Sequence, residues 1–175
     1  RGLDILDAEY FGQSLTWHAP AGIVAPSHAY HRGMDWLRSF FTGMLTSCGP
    51  LNTGAPFEEG GQEYGIHGTH SNTPGVVESI VNRDPERGRL EMSIAAVLRT
   101  ARMFGPFIEL RRTISSTLGQ PSIRIHDVFT NRGNEPTPHA WLLHINFGYP
   151  LLEPEASTYC YRGKLTARGD STKWF

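Results

Sequence analysis

His67 and His144 are the residues of this chain whose type and setting best suit them to do chemistry. The first lies in Gly65-Ile66-His67-Gly68-Thr69-His70. The second opens His144-Ile145-Asn146-Phe147-Gly148-Tyr149-Pro150, reached through Pro138-His139-Ala140-Trp141-Leu142-Leu143. An imidazole with its unperturbed pKa of ~6.5 can give or take a proton near neutrality without a metal, so the pair points to acid–base work. Glycine on both sides of Ile66-His67 permits unusual backbone angles and close approach of a ligand. The competing structural readings are a core histidine bonded to a backbone carbonyl for His144, and a solvated loop residue for His67.

The elements that must carry these residues are strands. In Leu90 to Arg99, Leu90, Met92, Ile94, Ala96 and Leu98 alternate with Glu91, Ser93 and Arg99, the period of a half-buried strand. Ile108 to Ser115 and Ser122 to Thr130 read the same way and predict an antiparallel meander. With 19 Gly and 12 Pro supplying turns, the composition predicts an all-β sandwich. Asp35 to Met44 is ambiguous, since Trp36, Phe40 and Phe41 recur at near-helical spacing, and a short helix or buried turn is expected there. If Ala140 to Phe147 is a regular strand, Leu142, His144 and Asn146 share one face. His139, Trp141, Leu143, Ile145 and Phe147 then form the other, apolar face, expected to pack between sheets. Trp17, Trp36, Trp141, Phe147 and Tyr149 read as core filler, and Cys48 as a small buried hydrophobe. Arg111 and Arg112 point to opposite faces, so at least one is a surface charge. The stretch from Cys48 to Pro74 is long for a connection, and it contains His67.

At 175 residues and 39% hydrophobic, the chain can bury one domain core, and it has no apolar run of the ~20 residues a membrane span needs. Lys+Arg 16 against Asp+Glu 17 leaves a net charge of -1 without a basic stripe, which disfavours nucleic acid and anionic membrane as partners. Two distant cysteines, Cys48 and Cys160, fit a reducing, cytoplasmic setting. No repeat or linker divides the chain, so residues 1–175 are expected to belong to one domain. A start at Arg1 without methionine and an end at Lys173-Trp174-Phe175 suggest a piece of a longer chain.

Several motifs together carry a resemblance. Ile66-His67-Gly68 is followed by Ser71-Asn72-Thr73-Pro74. The stretch Trp36-Leu37-Arg38-Ser39-Phe40-Phe41-Thr42-Gly43 precedes Thr46-Ser47-Cys48-Gly49, and Pro136-Thr137-Pro138-His139 leads to His144-Ile145-Asn146-Phe147-Gly148. Over essentially its whole length the chain resembles the aldose 1-epimerase (galactose mutarotase-like) superfamily, and more closely an uncharacterised bacterial branch of it. The resemblance implies an antiparallel β-supersandwich with a sugar on its concave face. It also implies a cytoplasmic enzyme that exchanges the α and β anomers of a free sugar without a cofactor. His67 resembles the loop histidine and His144 the strand histidine of that family, with Asn146 standing where a tyrosine is usual. Arg38, Asn72 and Asn146 are the expected sugar-binding residues. The catalytic base implied is a glutamate on a late strand, expected beyond Phe175, because Glu153 and Glu155 flank Pro154 in what reads as a turn.

Two other readings are weighed against this one. A carbohydrate-binding protein of the same fold could hold sugar without catalysis. Alternatively, His67, His70, His139 and His144 could hold zinc or iron in a sugar isomerase. Strand alternation sets His139 and His144 on opposite faces, and neither a His-x-His pair nor a His-Glu-x-x-His run occurs, so no metal site is expected. The sugar's identity and the oligomeric state are not readable.

Overall fold

A computed structural model describes residues 1–27, 29–158, 160 and 162–164; the end at Lys173-Trp174-Phe175 lies outside the described residues. Among these, β1 (Glu9–Tyr10) and β2 (Gln13–Ser14) form a hairpin, and a 3-10 turn spans Asp35–Arg38. Next come β3 (Leu45–Cys48), a second hairpin of β4 (Phe57–Glu59) and β5 (Gln62–Tyr64), and another 3-10 turn at His70–Asn72. The strands β6 (Gly75–Val81), β7 (Glu91–Ala101), β8 (Phe107–Thr117) and β9 (Arg124–Asn131) form one sheet in sequence order, and β10 (Leu142–Ile145) returns to pair with β3. Every strand pair is antiparallel. The fold is all-β, and the expected meander is present.

Period-2 alternation decides which side of the meander is core. Register pairs Leu98 with Leu110, Ala96 with Arg112 and Ile94 with Ile114, so these side chains share one face. Ala96, Leu98, Ile108 and Leu110 are buried, together with Leu45 and Cys48 of β3 and with Trp36 and Phe41. The neighbours Arg111 and Arg112 do take opposite faces. Arg111 reaches solvent and pairs with Glu78, whereas Arg112 is 0% exposed. Burial pushes the Cys48 thiol up to about 12, with Asp4 adding to the shift, so it behaves as a hydrophobe.

Three expectations need correction. The stretch from Cys48 to Pro74 is not continuous loop, since Phe57 to Tyr64 pair across a Gly60-Gly61 turn whose positive φ angles suit glycine. The last strand is Leu142–Ile145 rather than Ala140 to Phe147, and its apolar side is not packed between sheets: Leu143 is 45% and Ile145 51% exposed. The reason is that β10 pairs with β3 alone and, among the described residues, no second sheet covers that side. Trp17 and Tyr149 are exposed, while Trp36 is core as expected. Among the described residues no helix is long and apolar enough to cross a membrane.

Two stability outcomes follow. Arg112 is held by Asp4 and Asp127, so Arg112→Leu strands two carboxylates at or near the core. It should lower unfolding free energy by about 3–5 kcal/mol in urea titration, and a loss under about 1 kcal/mol would contradict the role given to Arg112. His70 is buried and donates Nε2–H to the Gly2 carbonyl at 2.9 Å; burial, aided by the Arg112 charge, lowers its pKa to about 3. The unfolded chain takes up this proton near ~6.5, so the stabilisation is complete above that pH and is lost as pH falls toward 3. Between pH 6 and 4, stability should fall by about 1 kcal/mol per pH unit more steeply in the wild type than in His70→Gln. Equal slopes would remove His70 as the cause.

Candidate active site

His67 sits at φ +60, with Gly68 following at +71, in a loop whose backbone is tied down on both sides. Its N–H donates to the Gly54 carbonyl, its carbonyl accepts from Gly49 N–H, and its ring Nδ1 accepts from Gly54 N–H at 3.3 Å. Acceptance at Nδ1 assigns the proton of the neutral ring to Nε2, which makes His67 a hydrogen-bond donor through that nitrogen. Glycine at 68 is required here, because a Cβ would lie 2.5 Å from the Gly49 carbonyl oxygen. His144 comes from β10, opposite Thr46 of β3.

The two histidines converge. Their ring centroids are 5.9 Å apart and the planes stand at 84°. Two aromatic residues close the circle: Trp36 lies edge-on to His67 at 4.9 Å, Phe40 edge-on to His144 at 5.3 Å, and Trp36 stacks on Phe40 at 4.3 Å. These four rings hold one another's orientation. The quartet is fixed from behind by the turn at 70–72. Trp36 Nε1 donates to Ser71 Oγ at 2.7 Å, Asn72 Nδ2 donates to Ser39 Oγ at 3.0 Å, and Ser39 Oγ donates to the Trp36 carbonyl.

The expected sugar-binding residues fall elsewhere. Arg38 extends into solvent, 76% exposed, and pairs with Asp35 at 3.3 Å. Asn72 is buried with its amide nitrogen on Ser39, and its Oδ1 has no partner among the described residues. Asn146 is buried and donates to the Gly43 and His144 carbonyls. As placed, both asparagines brace the loop and strand that carry the histidines instead of lining an open groove. The facing of Asn146 with His144 was legible from strand alternation; its commitment to Gly43 was not. The contributions of Trp36 and Phe40 were missed, although their spacing was visible, because the same spacing describes an ordinary buried turn.

The other two histidines weighed as metal ligands, His139 and His70, do not join the pair. His139 Nδ1 lies 3.0 Å from the Pro50 carbonyl with its ring against Phe129, and His70 packs on Trp141. Among the described residues no group of three or more His, Cys, Asp and Glu is placed to share a metal ion.

The antiparallel architecture is that of the galactose mutarotase-like superfamily. The sequence profile of a family described as a domain of unknown function (DUF4432) matches residues 1–174, and the chain belongs to that family. It is also similar, at 30% identity and a TM-score of 0.76, to the crystal structure of a candidate aldose 1-epimerase from Klebsiella pneumoniae subsp. pneumoniae. That similarity covers 87% of this chain and 40% of the Klebsiella chain, so this chain spans about two fifths of the length of that protein. No curated protein matches the sequence.

If Ser71 orients the ring quartet through Trp36, Ser71→Ala leaves the indole N–H buried without a partner, at a cost of about 1–3 kcal/mol. The C2–H proton resonances of His67 and His144 should then shift as the indole ring current moves, while that of His139 stays in place. Unmoved His67 and His144 signals would show that the bond stabilises the fold without positioning the pair.

Proposed function

We propose that the protein is a cofactor-independent sugar mutarotase of the aldose 1-epimerase type, interconverting α and β anomers by acid–base ring opening. The observation that carries this reading is the edge-on approach of His67 and His144 at 5.9 Å, set by the two aromatic rings. Ring opening needs a base to take the anomeric hydroxyl proton while an acid protonates the ring oxygen as the C1–O5 bond breaks. Reclosure on the other face of the aldehyde runs the same transfers in reverse. In this reading His144 is the acid that protonates the ring oxygen. His67, donating through Nε2–H, steadies that oxygen as charge develops on it. The base in this reading is a glutamate, which the resemblance implies on a late strand. Asn72 and Asn146 act as positioning residues. Arg38, at the solvent-facing side of the same turn, would need to swing from Asp35 to meet a sugar hydroxyl.

The test is anomer exchange by two-dimensional exchange NMR across aldoses, uronic acids and sugar phosphates, using the natural full-length protein. Removing a positioned general acid costs ~10²–10⁴-fold, so His144→Gln should slow exchange by about that factor while the circular dichroism spectrum is unchanged. His67→Ala should cost the same or less, and chelator treatment should change nothing. Full exchange activity in His144→Ala would remove His144 as the acid, and sugar binding without exchange in the wild type would leave only a carbohydrate-binding protein. Activity lost on chelation and restored by zinc or iron would instead favour a histidine–metal isomerase.

A further inference from the structure

The His67 loop has a second side. The backbones of Gly65 and Gly68 help to wall a cavity of about 360 Å³, within the ~300–1,000 Å³ range of small-molecule sites, and neither His67 nor His144 lines it. Its opposite wall is the end of β7 and the turn after it, Arg99 to Arg102, so the cavity joins the loop region to the meander. Gly65 closes one end against the His31 backbone, where a Cβ would lie 2.3 Å from the carbonyl oxygen.

The lining has a chemical character that linear sequence hides, because it is gathered from four separated stretches. Arg102 Nη1 donates to Gln62 Oε1 on β5, which fixes the guanidinium at the rim, and no carboxylate pairs with Arg102 among the described residues. Arg99 does have one, Glu109 at 2.9 Å, but Glu109 is shared with Arg132 at the same distance. Among the charged side chains that line the cavity, Arg99 and Arg102 against Glu63 leave one positive charge. Inside, Thr69 and Thr100 offer hydroxyl groups and Leu51 and Pro106 offer apolar surface, while Asn52 has its amide Nδ2 bonded to the Gly65 carbonyl. A guanidinium without a counter-ion selects carboxylate or phosphate. The neutral polar groups select hydroxyls, and the apolar walls suit a carbon ring face.

We propose that this cavity is a second ligand site, separate from the histidine pair, for a small polyhydroxylated organic anion held through Arg102. A sugar acid and a sugar phosphate share this chemistry. The experiment is isothermal titration of the full chain with glucuronate, glucose 6-phosphate and neutral glucose at low salt, repeated with Arg102→Gln, Ala101→Glu and His144→Gln. At least one anion should bind saturably and at least about tenfold more tightly than glucose, since one charge-assisted contact is worth about that much. Arg102→Gln and Ala101→Glu should each weaken it about tenfold or more, and His144→Gln should change it less than about twofold. Competition by inorganic phosphate marks the phosphate ester as the better ligand; its absence marks the carboxylate. Binding of glucose equal to that of both anions, indifference to Arg102→Gln, or loss of binding in His144→Gln would each overturn the proposal. Both Arg102 and Ala101 are exposed, so loss of the fold is not the expected result of either change.

Discussion

The fold is organised around one charge that cannot reach water. Arg112 is fully buried on the inner face of the meander, and a guanidinium there is tolerable only if its donors are met. They are: Nε and Nη2 make a fork to the two oxygens of Asp127, and Nη1 donates to Asp4 Oδ1 at 2.9 Å and to the Leu3 carbonyl at 3.2 Å. The Asp127 arm lies within the sheet, directly across β9. The Asp4 and Leu3 arm draws in the chain's first residues, whose Gly2 carbonyl in turn accepts from His70 and whose Gly2 N–H donates to the Thr73 carbonyl. Trp141 lies 5.6 Å from the guanidinium carbon and packs on His70. One buried cation thus connects the meander, the first residues, the 70–72 turn and the approach to β10. Burial raises the Asp4 pKa, against the pull of Arg112 and of Ser47.

The histidine pair depends on that anchor at one remove. Both rings are delivered by segments that end on it: His144 follows Trp141 by three residues, and His67 precedes His70 by three. The last link is the ring quartet, where Ser71 holds Trp36 and Trp36 meets both Phe40 and His67. Packed aromatic contacts and short loop hydrogen bonds resist rotation of the imidazoles, a restraint that the proposed acid–base role would need.

What the sequence reveals follows from which interactions are periodic. Strand alternation in Leu90 to Arg99 and Ile108 to Ser115 announces the meander, and it separates Arg111 from Arg112. It could not say which of the two was buried, because that turns on Asp4, 108 residues earlier. The convergence of His67 and His144 is expected from the shared facing of His144 with Asn146 and from glycine in the loop, and contacts between positions 67 and 144 have no local signature. The bonds that hold Asn72 and Asn146 are hidden for a related reason. A buried asparagine bonded to backbone and an asparagine bonded to sugar look alike in sequence, and only the occupancy of the amide distinguishes them. The shortened β10 reflects pairing on one side only, which periodicity does not encode.

His67 and His70 show how far environment outweighs residue type. They are three residues apart, both in or beside the same tight loop, yet their surroundings differ. His70 is sealed against Trp141 and the Arg112 charge, with a pKa driven to about 3, so it stays neutral throughout the physiological range and serves as a fixed hydrogen-bond donor. His67 occupies a left-handed backbone position that turns its ring the other way, toward Trp36 and His144. A right-handed geometry at 67 would disturb the bonds that its N–H and carbonyl make to Gly54 and Gly49, and with them the direction of the ring. The left-handed φ at His67 therefore accompanies a ring direction different from that of the structural His70.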